Sequence, residues 1–102
     1  MYLPVELPGY VGDLDGVRNA IATFEESRRP DAWAEVDYLV AYASALLRAG
    51  APDEAFNYVD RMVEVRGPYM YLRLSIEPAF DSVREHPRYL ALKTEYEAWA
   101  AN

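Results

Sequence analysis

The stretch LVAYASALLRAGAPDEAFNYVDRMVEVR, residues 39–66, decides the fold, because Gly50 and Pro52 at its centre divide two runs of helical period. Upstream, Trp33, Val36, Leu39, Val40, Ala43, Leu46 and Leu47 recur at spacings of three and four. That spacing predicts an amphipathic helix over about 32–49, capped by Asp31 and stopped at Gly50. Downstream, Pro52 suits a first helical turn, Asp53 and Glu54 complement the helix dipole, and Ala55, Phe56, Val59, Met62 and Val63 supply a second apolar face that closes at Gly67-Pro68. Two antiparallel helices joined by a tight turn are expected.

Working outward toward the N-terminus, Gly12-Asp13-Leu14-Asp15 opens another helix. It runs over about 13–28, with Leu14, Val17, Ala20, Ile21 and Phe24 on one face, and Pro30 prevents its continuation. Toward the C-terminus, residues 69–76 read as an extended run or a short helix, with the helix favoured, Pro78 starts a brief helix over about 78–85, and Pro87 starts a last one over about 87–100 carrying Tyr89, Leu90, Leu92, Tyr96 and Trp99. No hairpin dipeptide such as Asn-Gly occurs, so the expected class is all-α with no sheet. The expected organisation is a single domain, with residues 1–11 as an extended N-terminal segment, 12–67 as repeat helices and 68–102 as capping helices.

Composition narrows the chemistry. The 102 residues are 52% hydrophobic, with nine Tyr, three Phe and two Trp, enough for one modest core. The absence of Cys removes disulfides, thiolate ligands and cysteine nucleophiles. Seventeen acidic against ten basic residues give a net charge of −7, which repels nucleic-acid phosphates and anionic membranes alike, so neither is an expected partner. No apolar stretch approaches the ~20 residues of a membrane span, and Met1 to Tyr10 lacks the basic start of a secretory signal. A soluble, cytoplasmic protein is expected. Nine of the ten basic residues are Arg, a side chain that pairs bidentately with carboxylates and stacks on rings.

The turn at Gly12-Asp13-Leu14-Asp15-Gly16-Val17 recurs at Gly50-Ala51-Pro52-Asp53-Glu54-Ala55, an offset of 38 residues. With Leu39, Tyr42, Ala43, Leu46, Ala55 and Val59 at the positions where paired helices touch, the second unit resembles a tetratricopeptide repeat (TPR). Met62 stands at the motif's second alanine, Gly67 at its proline, and Pro68 comes one place late. The excess over the 34-residue period of that family falls in the Arg28 to Trp33 connection. Pro78 to Tyr89, with its His86-Pro87 step, is similar to the close of many bacterial repeat arrays. The resemblance covers about 12–100 and implies a short α-solenoid of stacked hairpins. Pro4, Pro8 and Gly9 preclude a partner helix before the first unit, so the array starts in mid-repeat. The expectation is a piece of a longer polypeptide or an assembly that supplies the missing contacts.

In that family the first helices of successive hairpins line a concave groove, which implies a partner-binding face at Asp37, Val40, Ser44, Leu47 and Arg48. Read from spacing alone, Val40 and Leu47 suit a core equally well. Tyr38, Tyr42, Tyr58, Tyr69 and Tyr71 suit peptide anchoring, stacking on Arg, or packing at helix seams. Asp13 and Asp15 fail the register of a calcium loop, since its first and last ligands would be Val11 and Ala22, and read instead as helix caps. His86, the single histidine, reads as a turn residue at a helix start, and no metal or cofactor is expected. Ser27, Ser44, Ser75 and Ser82 lie in no nucleophile setting, and Glu25, Glu26 and Asp31 read as solvated helix charges. The expected function is therefore a non-enzymatic scaffold for a segment of another protein or peptide, with a self-associating or end-capping role, and thus a homo-oligomer, as the alternative.

Overall fold

The computed structural model of the protein describes residues 11–27 and 35–101. Its helices are α1 (Leu14–Ser27), α2 (Glu35–Arg48), α3 (Pro52–Arg66), α4 (Met70–Ser75), a 3₁₀ helix (Pro78–Val83) and α5 (Pro87–Ala100). Among the described residues there is no strand, and the chain is all-helical. The connection over 28–34, including the cap expected at Asp31, lies outside the described residues, as does the N-terminal segment 1–10.

Glycine sets the central turn. Gly50 has φ of +86°, a conformation that L side chains resist, and this places two hydrogen bonds across the end of α2: Gly50 N donates to Leu47 O at 3.1 Å and Ala51 N to Leu46 O at 2.9 Å. This pair of reversed bonds satisfies the terminal carbonyls of α2 and turns the chain so that Pro52 opens α3. Gly12 repeats the device with φ of +73°, again two residues before a helix. There the cap is a side chain, since Asp13 Oδ1 accepts from Gly16 N at 2.9 Å.

α2 and α3 form the closest helix pair, and α2 also packs against α1 and the 3₁₀ helix. The six positions at which the hairpin was expected to close, Leu39, Tyr42, Ala43, Leu46, Ala55 and Val59, are all buried. Burial extends further than a single face. Every residue of α2 from Tyr42 to Leu47 is buried, so over this span the helix is enclosed on all sides. The small residues Ala43, Ala45 and Ala55 permit that enclosure, because they let neighbouring backbones approach closely.

Contacts also place α1, α3 and α5 side by side. Arg18 of α1 pairs with Glu54 of α3, and Ile21 and Glu25 lie further along the same groove with Tyr58. At the start of α5, His86 lies beside Asp53 and Phe56 and Arg88 reaches Asp53 O, Asn57 Oδ1 and Asp60 Oδ2, while near its end Trp99 lies beside Tyr69, just past the end of α3. In both pairs the contacts advance together along the two helices, so α1, α3 and α5 run in the same direction.

Residues 69–76 are helical as expected, but the segment after Pro78 winds as a 3₁₀ helix rather than an α-helix. Arg84 holds the bend between them. Its guanidinium donates to Leu74 O, Ser75 O and Glu77 O, each at 3.1 Å, and to Asp81 Oδ1 at 2.9 Å and the Tyr89 hydroxyl. Arg84 thus satisfies Ser75 O and Glu77 O and adds a bond to Leu74 O, which also accepts from Glu77 N. Burial opposes the Arg84 charge, but the hydrogen bonds to Asp81 and Tyr89 outweigh it and raise the pKa above the ordinary arginine value.

Candidate functional site

α5 buries only a thin stripe, Tyr89 and Leu92 with half-buried Tyr96, so most of the helix stands clear of α3. Between them runs a cleft of about 390 Å³. Phe56, Val59 and Leu92 form its floor and are 1%, 2% and 5% exposed. Asp60, Val63 and Glu64 make one wall, and Arg88, Ala91 and Glu95 the other.

Its two ends differ in chemistry. At the first, Arg88 is fully engaged: it pairs with Asp60 at 2.7 Å, bonds Asn57, and lies 5.5 Å over the Phe56 ring. At the other end Glu64 and Glu95 face the cleft from opposite walls, and neither has an ion-pair partner among the described residues. One turn beyond Glu95 the same face of α5 presents Trp99, which is 51% exposed and sits 6.4 Å from the ring of Tyr69 and 6.1 Å from that of Tyr96.

A second groove lies between α1 and α3, about 250 Å³ with Ile21 and Leu46 on its floor. It is bridged by Arg18, whose Nε donates to Glu54 Oε2 at 3.0 Å and whose Nη2 bonds the other carboxylate oxygen. This hydrogen bonding holds the Glu54 carboxyl below its ordinary range and raises the Arg18 pKa. Burial pushes the neighbouring Tyr58 hydroxyl up, and Arg61 lies 5.5 Å over the Tyr58 ring. Arg18 and Glu54 already serve each other across this groove, with Glu25 further along its α1 wall, so it is braced by that pair.

The five residues assigned to a concave face are not brought together on a surface. Val40, Ser44 and Leu47 are 4%, 5% and 8% exposed, enclosed with the rest of α2, while Asp37 is exposed and Arg48 half-buried at the two ends of the helix. In this fold the helical spacing of the three inner residues encodes packing, because they are buried in a helix that packs against α1, α3 and the 3₁₀ helix. The Ser44 hydroxyl is buried with no hydrogen-bond partner among the described residues.

The tyrosines divide between two seams. Tyr38, Tyr42 and Tyr58 join Phe24 in edge-on contacts at 5.1–6.3 Å, and Tyr71 meets Tyr89 at 5.7 Å and Tyr96 at 5.3 Å; only Tyr69 of the set is exposed. His86 is the N-cap of α5: its Nδ1 accepts from Arg88 N at 3.1 Å, and its ring stacks on Phe56 at 4.7 Å. Nε2 faces Asp53 Oδ1 at 3.8 Å. Ser27 and Ser75 donate to backbone carbonyls of their own helices, Ser82 and Glu26 are exposed, and Glu25 lines the α1/α3 groove. Among the described residues no three His, Cys, Asp or Glu side chains gather as a metal-binding group, and no helix is long and apolar enough to cross a membrane.

Sequence reasoning missed Glu64, Ala91, Glu95 and the exposure of Trp99. Each sits in an ordinary helical pattern, and their meeting depends on α3 and α5 pairing across some thirty residues of chain. Comparison with protein-family models, with curated proteins and with solved structures finds no match for this chain in any of the three.

Proposed function

We propose that this protein is a non-enzymatic interaction module that takes a segment of another protein in the groove between α3 and α5. One observation carries the reading: the groove has a buried apolar floor and opens at one end onto an exposed Trp99 beside Tyr69, the residue types most enriched at binding hot spots. The repeated glycine turns at Gly12 and Gly50 and the shared direction of α1, α3 and α5 support a short TPR-like solenoid. The binding face then lies between second helices of successive hairpins instead of on α2.

Selection of a displayed random peptide library on the folded chain, followed by amide chemical-shift mapping, tests the proposal. Selected peptides are expected to shift residues 88–99 and 60–64 and to lose binding to Ala91→Arg, which places a long charged side chain in the groove. Peptides that map elsewhere and ignore Ala91→Arg would refute it.

A second reading, self-association, is favoured by Leu72 of α4 and Ile76 just beyond its end, which are 49% and 75% exposed. Light scattering over a dilution series separates the two: a mass that rises with concentration and falls for Leu72→Ser with Ile76→Ser supports self-association, and a constant monomer mass rules it out.

A further inference from the structure

We propose that the occupant of the α3/α5 groove is a cationic amphipathic helix, which inserts a row of small or aliphatic side chains between the walls and pairs its flanking cations with Glu64 and Glu95. The inference rests on the reading of this groove as the binding face and names the chemistry of what fills it.

Shape favours a helix. From Arg88 to Glu95 the groove follows α5 for about 10 Å, roughly two helical turns. It is bounded by two helices running in the same direction, and a third helix can lay a ridge between them. Among the described residues there is no strand whose edge an extended peptide could join. A cleft of about 390 Å³ receives a row of side chains and leaves the helix backbone outside.

Charge selects the sign. Arg88 is committed to Asp60, Asn57 and the backbone of Asp53, so an incoming carboxylate would have to displace bonds already made. Glu64 and Glu95 stand on opposite walls without a cationic partner among the described residues. The whole chain, at −7, adds a field that draws cations and repels anions. Beyond Glu95, the exposed Trp99 face offers a second favourable position for an Arg or Lys of the ligand.

The experiment uses the full chain and two labelled, designed helical peptides with the same Leu/Ala stripe, one flanked by Arg and the other by Glu. Fluorescence anisotropy measures affinity at low and high salt, and amide shift mapping locates the site. The Arg peptide is expected to bind with shifts confined to α3 and α5. Glu64→Gln with Glu95→Gln should weaken it at least tenfold, whereas Glu26→Gln with Asp37→Asn, which removes the same charge elsewhere, should change it less than about twofold. Circular dichroism confirms that both double variants remain helical. Equal or tighter binding of the Glu peptide in this groove, or indifference to Glu64→Gln with Glu95→Gln, overturns the cationic occupant while the groove reading stands. Shifts outside α3 and α5 for both peptides, or none for either, overturn the inference together with the groove.

Discussion

Single side chains carry two distinct burdens in this molecule, and substitutions separate them. Ser44 is buried with its hydroxyl unsatisfied among the described residues, so its burial costs stability that alanine would not. Ser44→Ala should raise stability by about 0.5–1 kcal/mol in urea unfolding and leave peptide binding unchanged, whereas a destabilised variant would mean the hydroxyl finds a partner in solution. Arg84 is the opposite case. Lysine keeps its charge but cannot span three carbonyls, Asp81 and the Tyr89 hydroxyl, so Arg84→Lys should cost about 2 kcal/mol. Glu54 gives a pH signature. Its folded-state pKa is lowered by Arg18, so the stability it contributes is present above the unfolded pKa of about 4.3 and is lost as pH falls through the lower folded value. Wild type should therefore exceed Glu54→Gln in urea midpoint by a constant margin from neutral pH down to about 5, and the margin should close below about 4. A margin that persists in strong acid would show that the pair with Arg18 is not its source.

At the scale of elements, the turns were the most legible feature of the sequence and the packing the least. Gly50 and Gly12 were identified as equivalent from their neighbours, and the structure gives both positive φ two residues ahead of a helix. Neither would bring an added Cβ within 4 Å of other atoms, so the cost of Ala is conformational alone. Gly50→Ala and Gly12→Ala should each destabilise by about 1 kcal/mol in denaturant unfolding, and a marked inequality would deny the two turns a common role. Helix limits were legible for the same local reason: Pro52, Pro78 and Pro87 each open an element. The enclosure of α2 was not. Periodicity identifies that Val40, Ser44 and Leu47 share a face, but not whether another element covers it, and the covering 3₁₀ helix arrives from some thirty residues downstream. The pairing of Glu64 with Glu95 across the α3/α5 groove escaped for the same reason. Arg84 shows the limit most sharply, because nothing in its neighbourhood distinguishes it from a solvated charge until the bend it caps is in view.

For the whole molecule, the question is whether charge holds the fold together or strains it. Ion pairs that join described helices or brace their ends include Arg18 with Glu54, Arg61 with Glu35, Arg73 with Glu77, Arg84 with Asp81 and Arg88 with Asp60. Most are substantially solvated, and pairs of that kind contribute little once salt is present. Against them stands an excess of seven negative charges, whose mutual repulsion is felt most in the compact state. If repulsion dominates, raising sodium chloride from low concentration to the physiological range should raise the thermal midpoint followed by circular dichroism; if the pairs dominate, the midpoint should fall. The exposure of these pairs argues for a rise. The same salt should weaken capture of an Arg-flanked peptide at Glu64 and Glu95, because there the excess charge attracts the ligand. Stability and binding are thus expected to respond to salt with opposite sign, a combination that neither a charge-neutral apolar groove nor a salt-bridge-stabilised fold would produce.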